Sequence, residues 1–156
     1  MKHKPTKVCF AASSGGHLAQ LMELKPVMDK YDSFIVTEKT DYEMNFKEIK
    51  HYFVHQVNRK EKLFPVYILM CSFKSLWILL KERPDVIVST GVLAMAPICL
   101  LAKIFRKKLI FIESFAKIDS PTVTGKILYK YADTFFVQWE SMLKEYPDAK
   151  YEGCVY

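Results

Sequence analysis

Along the chain, short wholly apolar runs alternate with longer stretches in which apolar positions recur every three or four residues. The first run, Lys7-Val8-Cys9-Phe10-Ala11-Ala12, is bounded by turn residues and predicts a strand buried on both faces. Leu18, Leu21, Met22 and Met28 follow at helical spacing, and Pro26 is predicted to end or kink that helix because proline lacks an amide donor and crowds the preceding turn. Ser33–Thr37 predicts a second strand, the polar stretch Glu38–Lys50 a loop or short helix, and His51–His55 a third strand. From Leu63 to Arg83 the pattern is helical and apolar over most of its circumference. One face gathers Val66, Leu69, Met70, Phe73, Leu76, Trp77 and Leu80, while Ile68 and Leu79 lie on the other among Ser72, Ser75 and Arg83. After the break at Pro84-Asp85 come a strand, Val86–Val88, a turn, Ser89-Thr90-Gly91, and a second apolar helix, Val92–Phe105, regular from about Pro97. Lys108–Ile112 (strand), Gly125–Tyr131 (helix), Thr134–Gln138 (strand) and Glu140–Tyr146 (helix) complete the series. This alternation predicts an α/β fold: a Rossmann-like parallel sheet flanked by helices and joined by right-handed crossovers.

At 156 residues and 51% hydrophobic composition, the chain has material for one substantial core, so residues 1–156 are expected to form a single domain. Two stretches, Leu63–Leu80 and Val86–Phe105, approach the length of a bilayer span, which needs about 20 mostly apolar residues. The first contains Pro65 and Lys74 and the second the Ser-Thr-Gly turn, so neither is expected to span. A helix lying in the membrane interface, flanked by Tyr67, Trp77, Lys74, Lys81 and Arg83, fits the first better. A net charge of +6 favours an anionic partner, although the basic residues are scattered as on ordinary solvated faces. Cys9, Cys71, Cys99 and Cys154 are widely spaced and form no C-x-x-C pair, which argues for a reducing compartment rather than a zinc site or a disulfide framework. Val8–Ala12 is too brief for a signal-peptide core, so no export is expected.

In an open parallel sheet, ligands gather beyond the carboxyl ends of the strands, and three loops are predicted to end there. In Ser13-Ser14-Gly15-Gly16-His17 the glycines let the backbone pass close to a ligand and a helix start offers free amides, yet neither the G-x-G-x-x-G spacing nor a P-loop lysine is present. A tight turn and an anion site remain equal readings of this loop. His17, at the helix start, is suited to a neutral ring that exchanges hydrogen bonds with a substrate hydroxyl, or to a simple cap. Ser89-Thr90-Gly91 and Glu113-Ser114 supply the other two loops, and a carboxylate at the end of a buried strand must be hydrogen-bonded, paired or functional. His51 and His55 lack companion ligands, so no metal and no cofactor are expected.

Taken in order, Ala12-Ser13-Ser14-Gly15-Gly16-His17-Leu18, Val88-Ser89-Thr90-Gly91 with Ala96-Pro97, Ile112-Glu113-Ser114-Phe115-Ala116-Lys117 with Thr124-Gly125-Lys126, and Val137-Gln138-Trp139 with Tyr146-Pro147 and Tyr151-Glu152-Gly153 closely resemble a known family. It is that of the Alg-type accessory, membrane-anchoring subunits of UDP-N-acetylglucosamine transferase and their bacterial relatives in capsule and exopolysaccharide biosynthesis. The resemblance implies the amino-terminal, acceptor-binding half of a GT-B glycosyltransferase, with a separate donor-binding subunit as partner, a lipid-linked saccharide as acceptor and the cytoplasmic membrane surface as location. Nucleic acid is not an implied partner. It further implies that His17 and Glu113 orient or activate the acceptor hydroxyl, and that Ser14, Gly15, Gly16, Ser89, Thr90, Gly91 and Ser114 line the substrate, with Ser89–Gly91 near its diphosphate. Glu113 is either the general base or only an orienting group, the base then coming from the partner. A non-catalytic membrane scaffold that recruits the donor-binding subunit is the alternative reading, and a small nucleotide-binding regulator ranks behind both. The family's eukaryotic amino-terminal transmembrane helix is not matched here; the helix over Leu63–Leu80 is expected to substitute for it, with Ile68 and Leu79 facing lipid or the partner.

Overall fold

The structure, a computed structural model, describes residues 5–40, 46 and 49–156. Seven strands form one parallel sheet: β1 Lys7–Ala12, β2 Asp32–Glu38, β3 Lys50–Val54, β4 Val86–Gly91, β5 Lys108–Ile112, β6 Thr134–Val137 and β7 Lys150–Tyr151. Their spatial order is β3-β2-β1-β4-β5-β6-β7, so the chain reverses its direction of growth between β1 and β4. Such a reversal opens a crevice beyond the carboxyl ends of the two strands. Because side chains alternate along a strand, β1 sends Val8, Phe10 and Ala12 to one face and Cys9 and Ala11 to the other. The first face is closed by Leu18 and Leu21 of α1 (Gly16–Met22) and Met28 of α2 (Lys25–Met28). The second is closed by α3 (Phe64–Glu82), α4 (Ala96–Ile104) and α5 (Val123–Leu128).

Several elements differ from the sequence pattern for identifiable reasons. Pro26 opens α2 rather than ending one long helix, occupying the first turn where a missing amide costs nothing. Ser89, Thr90 and Gly91 are the last residues of β4, not a turn: Ser89 pairs in register with Ala11 and Gly91 with Ala12. Their hydroxyls are fully buried but satisfied locally, Thr90 Oγ1 donating to the His17 carbonyl at 2.9 Å and Ser89 Oγ accepting from Gly91 N at 3.2 Å. The turn comes one residue later, where Gly91 and Val92 take φ of 104° and 92°. Glu38, expected in a loop, closes β2 opposite Val54; most of the rest of that stretch lies outside the described residues. The apolar helix expected over Val92–Phe105 divides into a 3-10 turn, Leu93–Met95, and α4, and the final one shortens to a 3-10 turn, Glu140–Lys144.

The largest correction concerns α3. Its inner face is Cys71, Ser75, Ile78, Leu79 and Glu82, and Leu79 is buried instead of facing outward. The small side chains Cys71 and Ser75 let the helix approach the sheet closely. The bulky face that a count of apolar positions would assign to the core points away from it, with Val66, Leu69, Met70, Phe73, Trp77 and Leu80 all exposed.

At the carboxyl end of α3, the buried Glu82 carboxylate is held by Lys7 Nζ and Lys50 Nζ, each at 2.7 Å, and by the Tyr52 hydroxyl. Burial raises its pKa, but the bonds from Lys50, Lys7 and Tyr52 outweigh burial and bring it from an ordinary 4.5 down to about 2. A depressed carboxylate pKa contributes stability that is complete above the unfolded value and fades as pH falls toward the folded one. Glu82→Gln should therefore cost about 2 kcal/mol near neutrality. Urea unfolding followed from pH 7 down to 2.5 should show the variant and the parent converging below about pH 4.

Candidate functional site

The crevice between β1 and β4 is organised by a single imidazole. His17, the second residue of α1, places Nδ1 2.8 Å from the Thr90 carbonyl oxygen. A carbonyl only accepts, so Nδ1 carries a proton, and in the neutral ring the lone pair is then on Nε2. The Thr90 hydroxyl returns a bond to the His17 carbonyl, so the loop after β1 and the end of β4 hold each other in a reciprocal pair. Gly91 is required here by its backbone, whose φ of 104° only glycine adopts easily, since a Cβ there would make only ordinary van der Waals contact with Phe111 and His17 at 3.5–3.8 Å.

The third loop follows β5. Glu113 is 1% exposed, and four donors converge on its carboxylate: Ser114 N at 2.9 Å, Thr122 N at 3.2 Å, Thr122 Oγ1 at 2.9 Å and Tyr146 Oη at 2.8 Å. Burial and this carboxylate together push the Tyr146 hydroxyl far above its ordinary pKa, so it remains a donor. Thr122 also caps α5, accepting from Gly125 N at 2.8 Å. Gln138 Nε2 donates to the Glu113 carbonyl at 2.8 Å, and Trp139 Nε1 to the Phe115 carbonyl at 2.7 Å. The Gln-Trp pair thus clamps the strand end and the loop after it.

Between the first and third loops lies an open cleft of about 330 Å³ lined by Gly16, His17, Gln20, Ser114, Phe115, Ala116 and Tyr156. Of the residues singled out in the sequence, His17, Gly16 and Ser114 therefore meet in one place. Ser89, Thr90 and Gly91 lie beneath it as support and do not line it, and the Glu113 carboxylate points into the interior. Ser14 and Gly15 belong to the loop leading into α1 but are not among the lining residues. Gln20, Glu38 and the cleft-lining Tyr156 were not singled out in the sequence. Gln20, one turn after His17 on α1, is 2% exposed and forms part of the cleft wall. Glu38, at the carboxyl end of β2, is 4% exposed and accepts from Val57 N at 3.2 Å. Burial raises the Glu38 pKa, against lowering by Val57, Ser14 and His17. The i,i+3 spacing of His17 and Gln20 was the available signal for the first; Glu38 gave none, since its strand has a continuous apolar run only as far as Val36.

Among the described residues, no group of three or more His, Cys, Asp or Glu side chains is placed to hold a metal ion. Cys9, Cys71 and Cys99 are buried free thiols, Cys154 is exposed, and burial pushes the Cys99 thiol up to about 12.

Residues 57–155 match the family described as "Oligosaccharide biosynthesis protein Alg14 like". This span holds the Ser-Thr-Gly, Glu-Ser and Gln-Trp segments that build the β4 and β5 sides of the site. The chain belongs to the Alg14 family. It is 30% identical over 167 residues to the UDP-N-acetylglucosamine transferase subunit alg14 of Schizosaccharomyces pombe, an alignment covering 91% of this chain and 80% of the relative. It is 24% identical to the human subunit ALG14, covering 94% and 81%. Among solved structures it resembles Acinetobacter baumannii MurG, with a TM-score of 0.72, 17% identity and coverage of 88% of this chain. It also resembles a UDP-N-acetylglucosamine 2-epimerase from Rickettsia bellii, with a TM-score of 0.75, 17% identity and coverage of 97%. This Alg14-family chain spans 43% and 46% of those two proteins, and the likeness shows the fold, the Rossmann-like amino-terminal half of a GT-B architecture. The α/β expectation and the family resemblance drawn from the sequence both hold.

Proposed function

We propose that this chain is the acceptor-binding, membrane-associating subunit of a two-chain glycosyltransferase. Its reaction would move a sugar from a nucleotide donor to a polyprenyl-diphosphate-linked acceptor in capsular or exopolysaccharide biosynthesis, at the cytoplasmic face of the membrane. The observation that carries this reading is the convergence of the His17 loop and the Ser114–Ala116 loop on one cleft at the point where strand order reverses. The Alg14 relatives are named as transferase subunits, which supports a separate chain supplying the donor-binding half.

In this reading His17 accepts a hydrogen bond from the acceptor hydroxyl through Nε2, its ring held in one tautomer by Thr90. Glu113 takes the orienting role: with its four donors engaged in the interior, it fixes the loop that carries Ser114 and Phe115 and leaves proton removal to a group on the partner. The attacking hydroxyl oxygen bonds to the anomeric carbon, the bond from that carbon to the diphosphate breaks, and the nucleoside diphosphate leaves. The exposed apolar face of α3 supports the membrane association. Lys74 and Lys81 stand over the Trp77 ring at 4.7 and 4.5 Å, so cationic groups border the apolar surface as anionic lipid headgroups would require.

Co-purification with the donor-binding subunit followed by a transfer assay tests the proposal. His17→Ala should lower kcat by about a hundredfold while the two chains still co-elute. Loss of the complex together with activity would favour the scaffold reading. Unaltered turnover would remove His17 from the site.

A further inference from the structure

The cleft carries a polar group that the folded chain leaves unused. Gln20 is 2% exposed, and its Nε2 has no hydrogen-bond partner among the described residues. Its Oε1 accepts from Phe115 N, but at 3.4 Å the bond is long enough to leave the carboxamide free to swing its N–H toward an oxygen seated in the cleft. Buried donors are nearly always paired, and an unpaired one on a residue that lines a cleft marks a place where a ligand atom completes the set once the carboxamide turns toward it. His17 lies one helical turn away on the same side of α1 and presents the opposite capacity, a lone pair on Nε2. Phe115 and Tyr156 add apolar wall, their ring centroids 5.1 Å apart in an edge-on pair. Among the described residues, no lysine or arginine lines this cleft.

A neutral cleft with one donor, one acceptor and aromatic walls suits a pyranose ring, whose hydroxyls both give and take hydrogen bonds and whose C–H face packs on aromatic carbon. It does not suit a diphosphate, which calls for cations. Deepening the functional reading above and resting on it for the identity of the acceptor, we propose that this cleft holds the acceptor's sugar ring. Gln20 is its specificity-determining contact, donating to a ring substituent oxygen while His17 receives the attacking hydroxyl. The lipid diphosphate then lies outside the cleft, not on Ser89–Gly91, which are buried beneath His17.

The test has two arms. In the first, the full chain alone is titrated with glucose and with N-acetylglucosamine and followed by backbone and indole NMR signals. Trp139 reports on the cleft because it donates to the Phe115 carbonyl and its ring lies 5.1 Å from that of Phe115. At least one of the two sugars should give saturable shifts at His17, Phe115 and Trp139, and Gln20→Leu should weaken that binding about tenfold or more with an unchanged spectrum elsewhere. In the second arm, the chain paired with its donor-binding subunit should show a rise in acceptor KM of about ten- to a hundredfold for Gln20→Leu and Gln20→Glu, with kcat within about threefold. Inhibition by polyprenyl diphosphate lacking a sugar should be unaffected by either change. Absence of sugar-induced shifts, equal affinity in Gln20→Leu, or an equal loss of inhibition by the sugar-free lipid overturns the assignment. So does a fall in melting temperature with KM unchanged, because Gln20 would then be structural. If the unsubstituted pair transfers no sugar, the transferase reading fails, and the first arm still decides whether the cleft binds a sugar through Gln20.

Discussion

Gly125→Ala is expected to destabilise the protein severely, although helix propensity alone predicts the opposite. Gly125 lies inside α5, where alanine is ordinarily favoured by about 1 kcal/mol. The space around it decides the sign. A Cβ at this position would stand 2.1 Å from Glu113 Oε2, 2.6 Å from the Tyr146 hydroxyl and 2.8 Å from Thr122 Oγ1. These atoms belong to one hydrogen-bonded group around a fully buried carboxylate, so none of them can retreat without abandoning another. Displacing Glu113 from even two of its donors leaves a buried charge short of partners, and breaking such an arrangement costs about 3–5 kcal/mol. The clash therefore outweighs the propensity gain by a wide margin. Scanning calorimetry should record a drop of roughly 10 °C for a chain of this size. Gly16→Ala is the matched control, since a Cβ there meets nothing within 4 Å, and it should melt within about 2 °C of the parent. If Gly125→Ala melted as high as the control, the Glu113 carboxylate would have to be free to turn outward, and its assignment as an interior orienting group would fall.

How far the sequence revealed this arrangement depends on the range of the interaction. The sheet was readable because parallel strands buried on both faces show as unbroken apolar runs, and Val8–Ala12, Val86–Val88 and Leu109–Ile112 are of that kind. β7 was not, since Lys150–Tyr151 is two exposed residues added at an edge. The three segments were placed at the carboxyl edge, although Ser89–Gly91 there ends β4 and is not a loop. Which of their side chains are buried was not legible, because burial of a hydroxyl or a carboxylate is decided by residues far away in the chain. Glu113 depends on Thr122 and Tyr146, 9 and 33 residues on, and Thr90 depends on His17, 73 residues back. The orientation of α3 was hidden for a related reason. Apolarity runs round most of that helix, and what selects its inner face is the small size of Cys71 and Ser75 together with the ion-paired Glu82, not hydrophobicity.

That orientation leads to the last expected result: Leu69→Ser/Phe73→Ser should release the protein from anionic lipid vesicles while leaving its fold intact. Phe64–Glu82 is long and apolar enough to cross a bilayer by length and composition alone. Its docking opposes a crossing. Spanning would strip Ile78 and Leu79 from the core and carry the Glu82 carboxylate, with its bonds to Lys7, Lys50 and Tyr52, away from the sheet. On the membrane association proposed above, the helix lays one side on lipid, and Leu69 and Phe73 on that side, one turn apart, are 56% and 66% exposed. Burying such side chains stabilises by about 1.5–3 kcal/mol each when complete, so half of that range per residue is a fair expectation at an interface. Removing both should cost roughly 1.5–3 kcal/mol, or about a ten- to hundredfold fall in the vesicle partition coefficient. Sedimentation with vesicles containing phosphatidylglycerol measures it, and circular dichroism should show an unchanged melting curve because neither side chain touches the core. Alkaline carbonate should extract the parent protein from membranes, as it does an interfacial helix and not a spanning one. Resistance to carbonate, or vesicle binding by the double variant equal to the parent's, would mean that α3 does not lie on the membrane by this face.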